Sequence, residues 1–117
     1  MKPDHQLPRV ILCFLLLSFI CTEVSSQIDR GAYLQMGHQT GITIRWRTTV
    51  ASNSRVRIGT SYLATGLYPA IIDNASSVTE HIIPVTGLTA DTKYYYSIGT
   101  STTVQQVSAN NFFTTAP

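Results

Sequence analysis

A chain of 117 residues that is 44% apolar and 12% charged, with a formal net charge of +2, describes one small globular domain. This composition excludes a multi-domain protein and a disordered chain, and its scattered basic residues lack the clustered footprint of nucleic-acid binding. The length leaves little room for a substrate cleft with convergent metal or cofactor ligands beside a core.

Lys2 and Arg9 give a basic start, Val10 to Ile20 is an apolar run, and polar Thr22, Glu23, Ser25 and Ser26 follow at once. That layout reads as a secretory signal peptide, and the run is shorter than the roughly 20 residues that cross a bilayer. Val24 and Ser26 are small enough to stand third and first before a cut. The sequence therefore predicts a signal peptide over 1–26 and a secreted domain over 27–117, extracellular or, from a bacterial source, periplasmic, with no membrane attachment after cleavage. Both cysteines, Cys13 and Cys21, fall in the leader. From Gln27 onward disulfides, thiolate metal sites and cysteine nucleophiles are excluded.

Beyond Gln27 the dominant period is two, punctuated by Gly, Asn, Asp, Ser and Pro, with no window of helical period. Strands are predicted at Ala32–Met36, Gly41–Thr48, Ser54–Gly59, Pro69–Ile72, Thr79–Val85, Lys93–Ile98 and Asn111–Thr115. Ile42, Ile44 and Trp46 share an inward face, as do Val56 and Ile58, while Arg45, Arg47, Arg55 and Arg57 point outward. Turns are expected at 37–41, 48–53, 73–77 and 86–91. Between Thr60 and Gly66 the pattern is weak, and Leu63 and Leu67 read equally well as loop anchors. About seven strands at this spacing predict an all-β antiparallel sandwich of the immunoglobulin or fibronectin type III kind.

One segment is more specific. In Val85-Thr-Gly-Leu-Thr-Ala-Asp-Thr-Lys-Tyr-Tyr-Tyr96, an inward Leu88 precedes a turn and Tyr94 opens an alternating strand six residues later. That is the layout of a tyrosine corner, whose phenol closes a strand connection by bonding to nearby backbone. Together with Trp46 and inward Tyr96, these residues resemble the structural framework of a fibronectin type III domain.

Arg30-Gly-Ala-Tyr-Leu-Gln35, Gly41-Ile-Thr-Ile-Arg-Trp-Arg-Thr48, Ser54-Arg-Val-Arg-Ile-Gly59 and Glu80-His-Ile82 ahead of the Gly87-Leu88 turn occur in one order. As an ordered set, from about Arg30 to Pro117, they resemble the N-terminal fibronectin-like domain of secreted purple acid phosphatases. Ala32 and Ala90 stand where that family usually has Pro, and Ile58 where it often has an aromatic. The resemblance implies a parent enzyme in which a metallophosphatase domain follows the sandwich and is its partner. That second domain would hold a dinuclear centre, iron with iron, zinc or manganese, hydrolysing phosphate monoesters. Its Gly-Asp-x-x-Tyr, Gly-Asn-His-Glu and Gly-His-x-His motifs do not occur in this sequence. The resemblance thus assigns this chain no catalytic, cofactor-binding or metal-ligating residue, and makes it a fragment, truncated product or isolated domain.

The residue types present agree with that implication. After the leader only His38, in a predicted turn, and His81, beside Glu80 on a strand, offer imidazole, and their spacing is not that of metal ligands. His81, in phase with Ile83 and Val85, is expected to be a partly buried edge residue. No nucleophile elbow or phosphate-cradling glycine motif is present, so the chain alone is not expected to be an enzyme. If the sandwich is fibronectin-like, the Trp46 and Val56 strands belong to opposite sheets, and the two arginine pairs face opposite sides. Tyr95 is expected outward, as a plain surface aromatic or a contact for sugar or a neighbouring domain. Asn74-Ala75-Ser76 is a glycosylation acceptor sequence in a predicted loop, used only on a eukaryotic secretory route. Two functions stay open: the non-catalytic front domain of a purple acid phosphatase, or a free-standing secreted adhesion or carbohydrate-binding module.

Overall fold

The structure, a computed structural model, describes residues 27–117, so the leader assigned to 1–26 lies outside the described residues. Those residues form six strands and no helix: β1 (Ile28–Gln35), β2 (Ile42–Gly59), β3 (Ala70–Val85), β4 (Lys93–Gly99), β5 (Val104–Gln106) and β6 (Phe112–Thr114). All pairings are antiparallel.

The two long strands explain the architecture. Along its first half, β2 lies between β1 and the end of β3, with Ile44 opposite both Leu34 and Ile83. Along its second half it lies between the start of β3 and β4, with Val56 opposite both Ile72 and Ile98. The β2–β3 register breaks between Arg47 and Ser52 and again before Ser54, and there both strands pass from one ladder to the other. Residues from both ladders form a single buried cluster: Ile44, Trp46, Ile83 and Val85 from one, Val56, Ile58, Tyr96 and Ile98 from the other, with Phe113. Two ladders whose inward faces share one core make a β-sandwich, as alternation in the sequence requires.

The expected turns at 48–53 and 73–77 are therefore strand. Each pair of strands predicted on either side of them is one continuous, bent strand, because a ladder that breaks register can bend without ending. The short β5 escapes period-two reading, having only three residues. β5 and β6 both pair with β4, at its Ile98–Gly99 and Lys93–Tyr95 ends respectively, so they are two pieces of one edge.

The Thr60–Gly66 stretch also differs from expectation. Leu63 and Leu67 are exposed, and the anchors are Tyr68, which is buried, and Gly66. At Gly66 the backbone carbonyl accepts the Ser97 hydroxyl at 2.6 Å. Its φ of +72° and the approach of Ser97 and Val104 to within 3.0 Å of where a Cβ would stand reserve the position for glycine. This loop covers the outward face of β4, leaving Ser97 fully buried. Arg57, expected on an exposed face, is 5% exposed on that same side, its Nη2 donating to the Thr100 carbonyl at 3.2 Å. Burial, and secondarily the charge of Arg55, lowers its pKa.

At Gly99 a Cβ would stand 2.1 Å from the Thr103 carbonyl oxygen, whereas at Gly37 the nearest atom would be an ordinary contact at 3.5 Å. Gly99→Ala is expected to lower stability by about 1–3 kcal/mol and Gly37→Ala to lower it by well under half of that, read from urea denaturation midpoints of the two variants.

Candidate functional site

Strand alternation sends Trp46 and His81 inward from directly opposed positions of β2 and β3. Their rings stack at 4.8 Å with an interplanar angle of 6°. His81 is fully buried rather than partly, and it is hydrogen-bonded at both nitrogens: Nε2 to Thr48 Oγ1 at 2.9 Å and Nδ1 to Ser54 Oγ at 2.6 Å. Thr48 spends its own proton on the Val50 carbonyl at 2.9 Å. It therefore accepts from Nε2–H, and Ser54 donates to Nδ1, which fixes a neutral imidazole in one tautomer. Burial lowers the His81 pKa, outweighing the opposing influence of Glu80.

At one end of the sandwich the tyrosine corner is in place. The Thr89 N–H donates to Tyr94 Oη at 2.9 Å, and half-buried Leu88 packs on the core edge while its N–H donates to the Thr40 carbonyl at 2.9 Å. Gly87 with φ of 73° and Asp91 with φ of 53° turn the chain on either side. Tyr94 stacks on Phe113 at 5.7 Å, and Tyr96 meets the same ring at 6.1 Å. The chain's last residues close over this end: Thr115 Oγ1 donates to the Thr89 carbonyl at 2.6 Å and Gln39 Nε2 to the Pro117 carbonyl at 2.6 Å. His38 sits in the exposed turn beside them, its Nδ1 accepting the Thr40 N–H at 3.3 Å.

The four structural residues expected from sequence thus occupy one framework: Trp46, Tyr94 and Tyr96 in the core, Leu88 against it. The arginines do lie on different ladders. Arg47 pairs with Glu80 across one outer face, and Arg55 grips Asp73 through two nitrogens at 2.7 and 2.8 Å on the other. Period-two reading did not reveal the clustering around Tyr95. Tyr62 and Phe112 lie 5.9 and 6.0 Å from its ring, and Lys93 Nζ stands 5.0 Å above it and 4.1 Å above Phe112. Tyr62 and Phe112 are each about 40% exposed. The signal was present for Lys93, Tyr95 and Phe112, which share the outward phase of paired strands, but Tyr62 comes from the loop.

The donor set does not fit a dinuclear metal centre. Among the described residues no three His, Cys, Asp or Glu side chains come together in a way that would hold a metal ion. The Nδ1 lone pair of His81 is engaged by Ser54.

Fold and framework define a fibronectin-like β-sandwich domain closed by a tyrosine corner. Residues 30–115 match the family model for the N-terminal domain of purple acid phosphatases, and the chain belongs to that family. No curated protein and no solved structure matches it.

Two outcomes follow from this geometry. Tyr94→Phe leaves the Thr89 N–H unpaired and is expected to cost about 1–3 kcal/mol, whereas Tyr95→Phe, on the outer face, is expected to cost much less; chemical denaturation of both variants checks this. For His81 the folded pKa lies below the unfolded value, so the unfolded chain binds the extra proton. Stability is then full above the ordinary histidine value of 6.5 and falls as pH drops from there toward the lowered folded value. The slope from this one group is at most about 1.4 kcal/mol per pH unit. His81→Gln is expected to be less stable at neutral pH but to lose that component of the slope, measured as denaturation midpoints between pH 7.5 and 5.

Proposed function

We propose that the chain is the non-catalytic N-terminal domain of a secreted purple acid phosphatase. In this reading residues 1–26 are a cleaved signal peptide, the chain is a fragment or truncated product of the whole enzyme, and its partner is a metallophosphatase domain. That partner would carry the dinuclear iron-containing centre and the hydrolysis of phosphate monoesters. The sandwich would serve its stability or substrate access. The observation that carries the reading is the family match over residues 30–115. The buried groups support it as well: the imidazole best shielded from water bonds two hydroxyls within the core and so serves packing.

A second reading, a free-standing adhesion or carbohydrate-binding module, draws on one observation, the exposed ring cluster of Tyr62, Tyr95 and Phe112 with Lys93. Aromatic faces beside a cation suit stacking on sugars as well as contact with a protein neighbour.

The purified chain is expected to contain no stoichiometric iron or zinc by elemental analysis and to leave a chromogenic phosphate monoester intact. A dinuclear site supplies both the attacking hydroxide and the clamp on the phosphoryl oxygens. Metal-dependent turnover that persists through purification and is lost in His38→Ala would overturn the non-catalytic assignment. Retention on immobilised polysaccharide, lost in Tyr95→Ala, would favour the second reading.

A further inference from the structure

Gln27 stands at the foot of β1, one place ahead of Ile28. Its backbone is tied on both sides to one residue of β2. The Thr49 N–H donates to the Gln27 carbonyl at 2.9 Å, and the Gln27 N–H donates to Thr49 Oγ1 at 3.4 Å. The Gln27 side chain is exposed, and its carboxamide makes no hydrogen bond among the described residues. The residue that follows is both packed and paired: Ile28 lies against the core and opposite Thr48. Among the described residues β2 is the one ladder partner of β1.

We propose that, once the leader is cut after Ser26, Gln27 closes on itself to a pyroglutamyl residue, a lactam that blocks the amino terminus ahead of β1. The proposal rests on the secretory reading given above, which makes Gln27 the first residue. With an ordinary α-amino pKa of about 8, a usable share of the amine is unprotonated near neutrality. Its nitrogen attacks the side-chain amide carbon Cδ. The nitrogen–Cδ bond forms and the Cδ–Nε2 bond breaks. Ammonia leaves with the electron pair and with one proton taken from the amine, so nothing is oxidised or reduced and no co-reactant is consumed. The fold suits the product. The lactam keeps one N–H on the backbone nitrogen, where it can still reach Thr49 Oγ1, and the bond from the Thr49 N–H to the carbonyl is untouched. The carboxamide gives up no partner within the described domain, and closure removes the terminal charge. An aminopeptidase needs a free α-amine. The lactam denies it a start on a strand that one ladder holds and whose first side chain packs on the core.

The test expresses the full chain in cultured insect cells and reads the amino terminus of the protein in the medium, by Edman degradation of the intact chain and by the mass of its tryptic peptide Gln27–Arg30. The intact chain is expected to resist Edman degradation. Its peptide should be lighter than Gln-Ile-Asp-Arg by one ammonia and become readable from Ile28 after pyroglutamyl aminopeptidase. Gln27→Ser, which has no side-chain amide, should be readable from residue 27 without that treatment. A secreted chain that reads from an open Gln27, or a block that survives in Gln27→Ser, overturns the lactam and leaves the secretory reading standing. A secreted chain that begins at another residue overturns the cut after Ser26 and the lactam with it. Full-length chain in the cells with none in the medium overturns the secretory reading itself, and the lactam falls with it.

Discussion

The bend in β2 depends on one imidazole. Thr48 stands at the start of the register break and Ser54 at its end, and His81 of β3 bonds one through each ring nitrogen. A strand that leaves one ladder and joins another exposes backbone and side-chain polar groups at the crossing, where regular pairing cannot satisfy them. Histidine has the reach and the two opposed polar atoms to tie both sides of such a crossing. Its flat ring continues the apolar core by lying on Trp46. With both nitrogens bonded, its burial does not carry the desolvation penalty that an unpaired polar group would.

From this joint the rest of the sandwich follows. Because β2 and β3 bend together, the inward rows Ile42–Ile44–Trp46 and Val56–Ile58 come to face each other, and β4 brings Tyr94, Tyr96 and Ile98 into the same core. The tyrosine corner then closes the end of the sandwich away from the crossing. There the Thr89 N–H, which no ladder pairs, reaches the Tyr94 oxygen, and Thr115 ties the last strand to the same turn. One end is thus held by an imidazole between hydroxyls and the other by a phenol on backbone.

Alternation was enough to place Trp46, Tyr94 and Tyr96 correctly, because inward phase in a two-sided sandwich is a local property of each strand. The same reasoning put His81 in phase with Ile83 and Val85, yet it left the residue only partly buried, since its partners Thr48 and Ser54 lie across a bend that polar, turn-favouring residues disguise as a loop. Arg57 was misplaced for a related reason. Period two assigns it outward, as it is, but outward meant exposed only until the 60–69 loop folded over that face, and nothing in a loop with two exposed leucines announces its docking through Gly66 and Tyr68. Likewise the short β5 is defined by its partner β4 and not by its own three residues.

Reading chemistry from residue type fails here for a physical reason. A serine within hydrogen-bond reach of a histidine whose other nitrogen is also bonded has the outline of an activated nucleophile. The hydrogen bonds run in the sense a base would need, Ser54 donating its proton to Nδ1 and Nε2–H donating to Thr48, whose own proton is committed to Val50, but the third group is the wrong one. A base would need that second position occupied by a group that stabilises imidazolium, as a carboxylate does. A threonine hydroxyl carries no charge, and burial holds the ring neutral. A carboxylate that would raise basicity is absent from the contacts of His81 and burial lowers it, which makes the pair a structural tie within the sandwich.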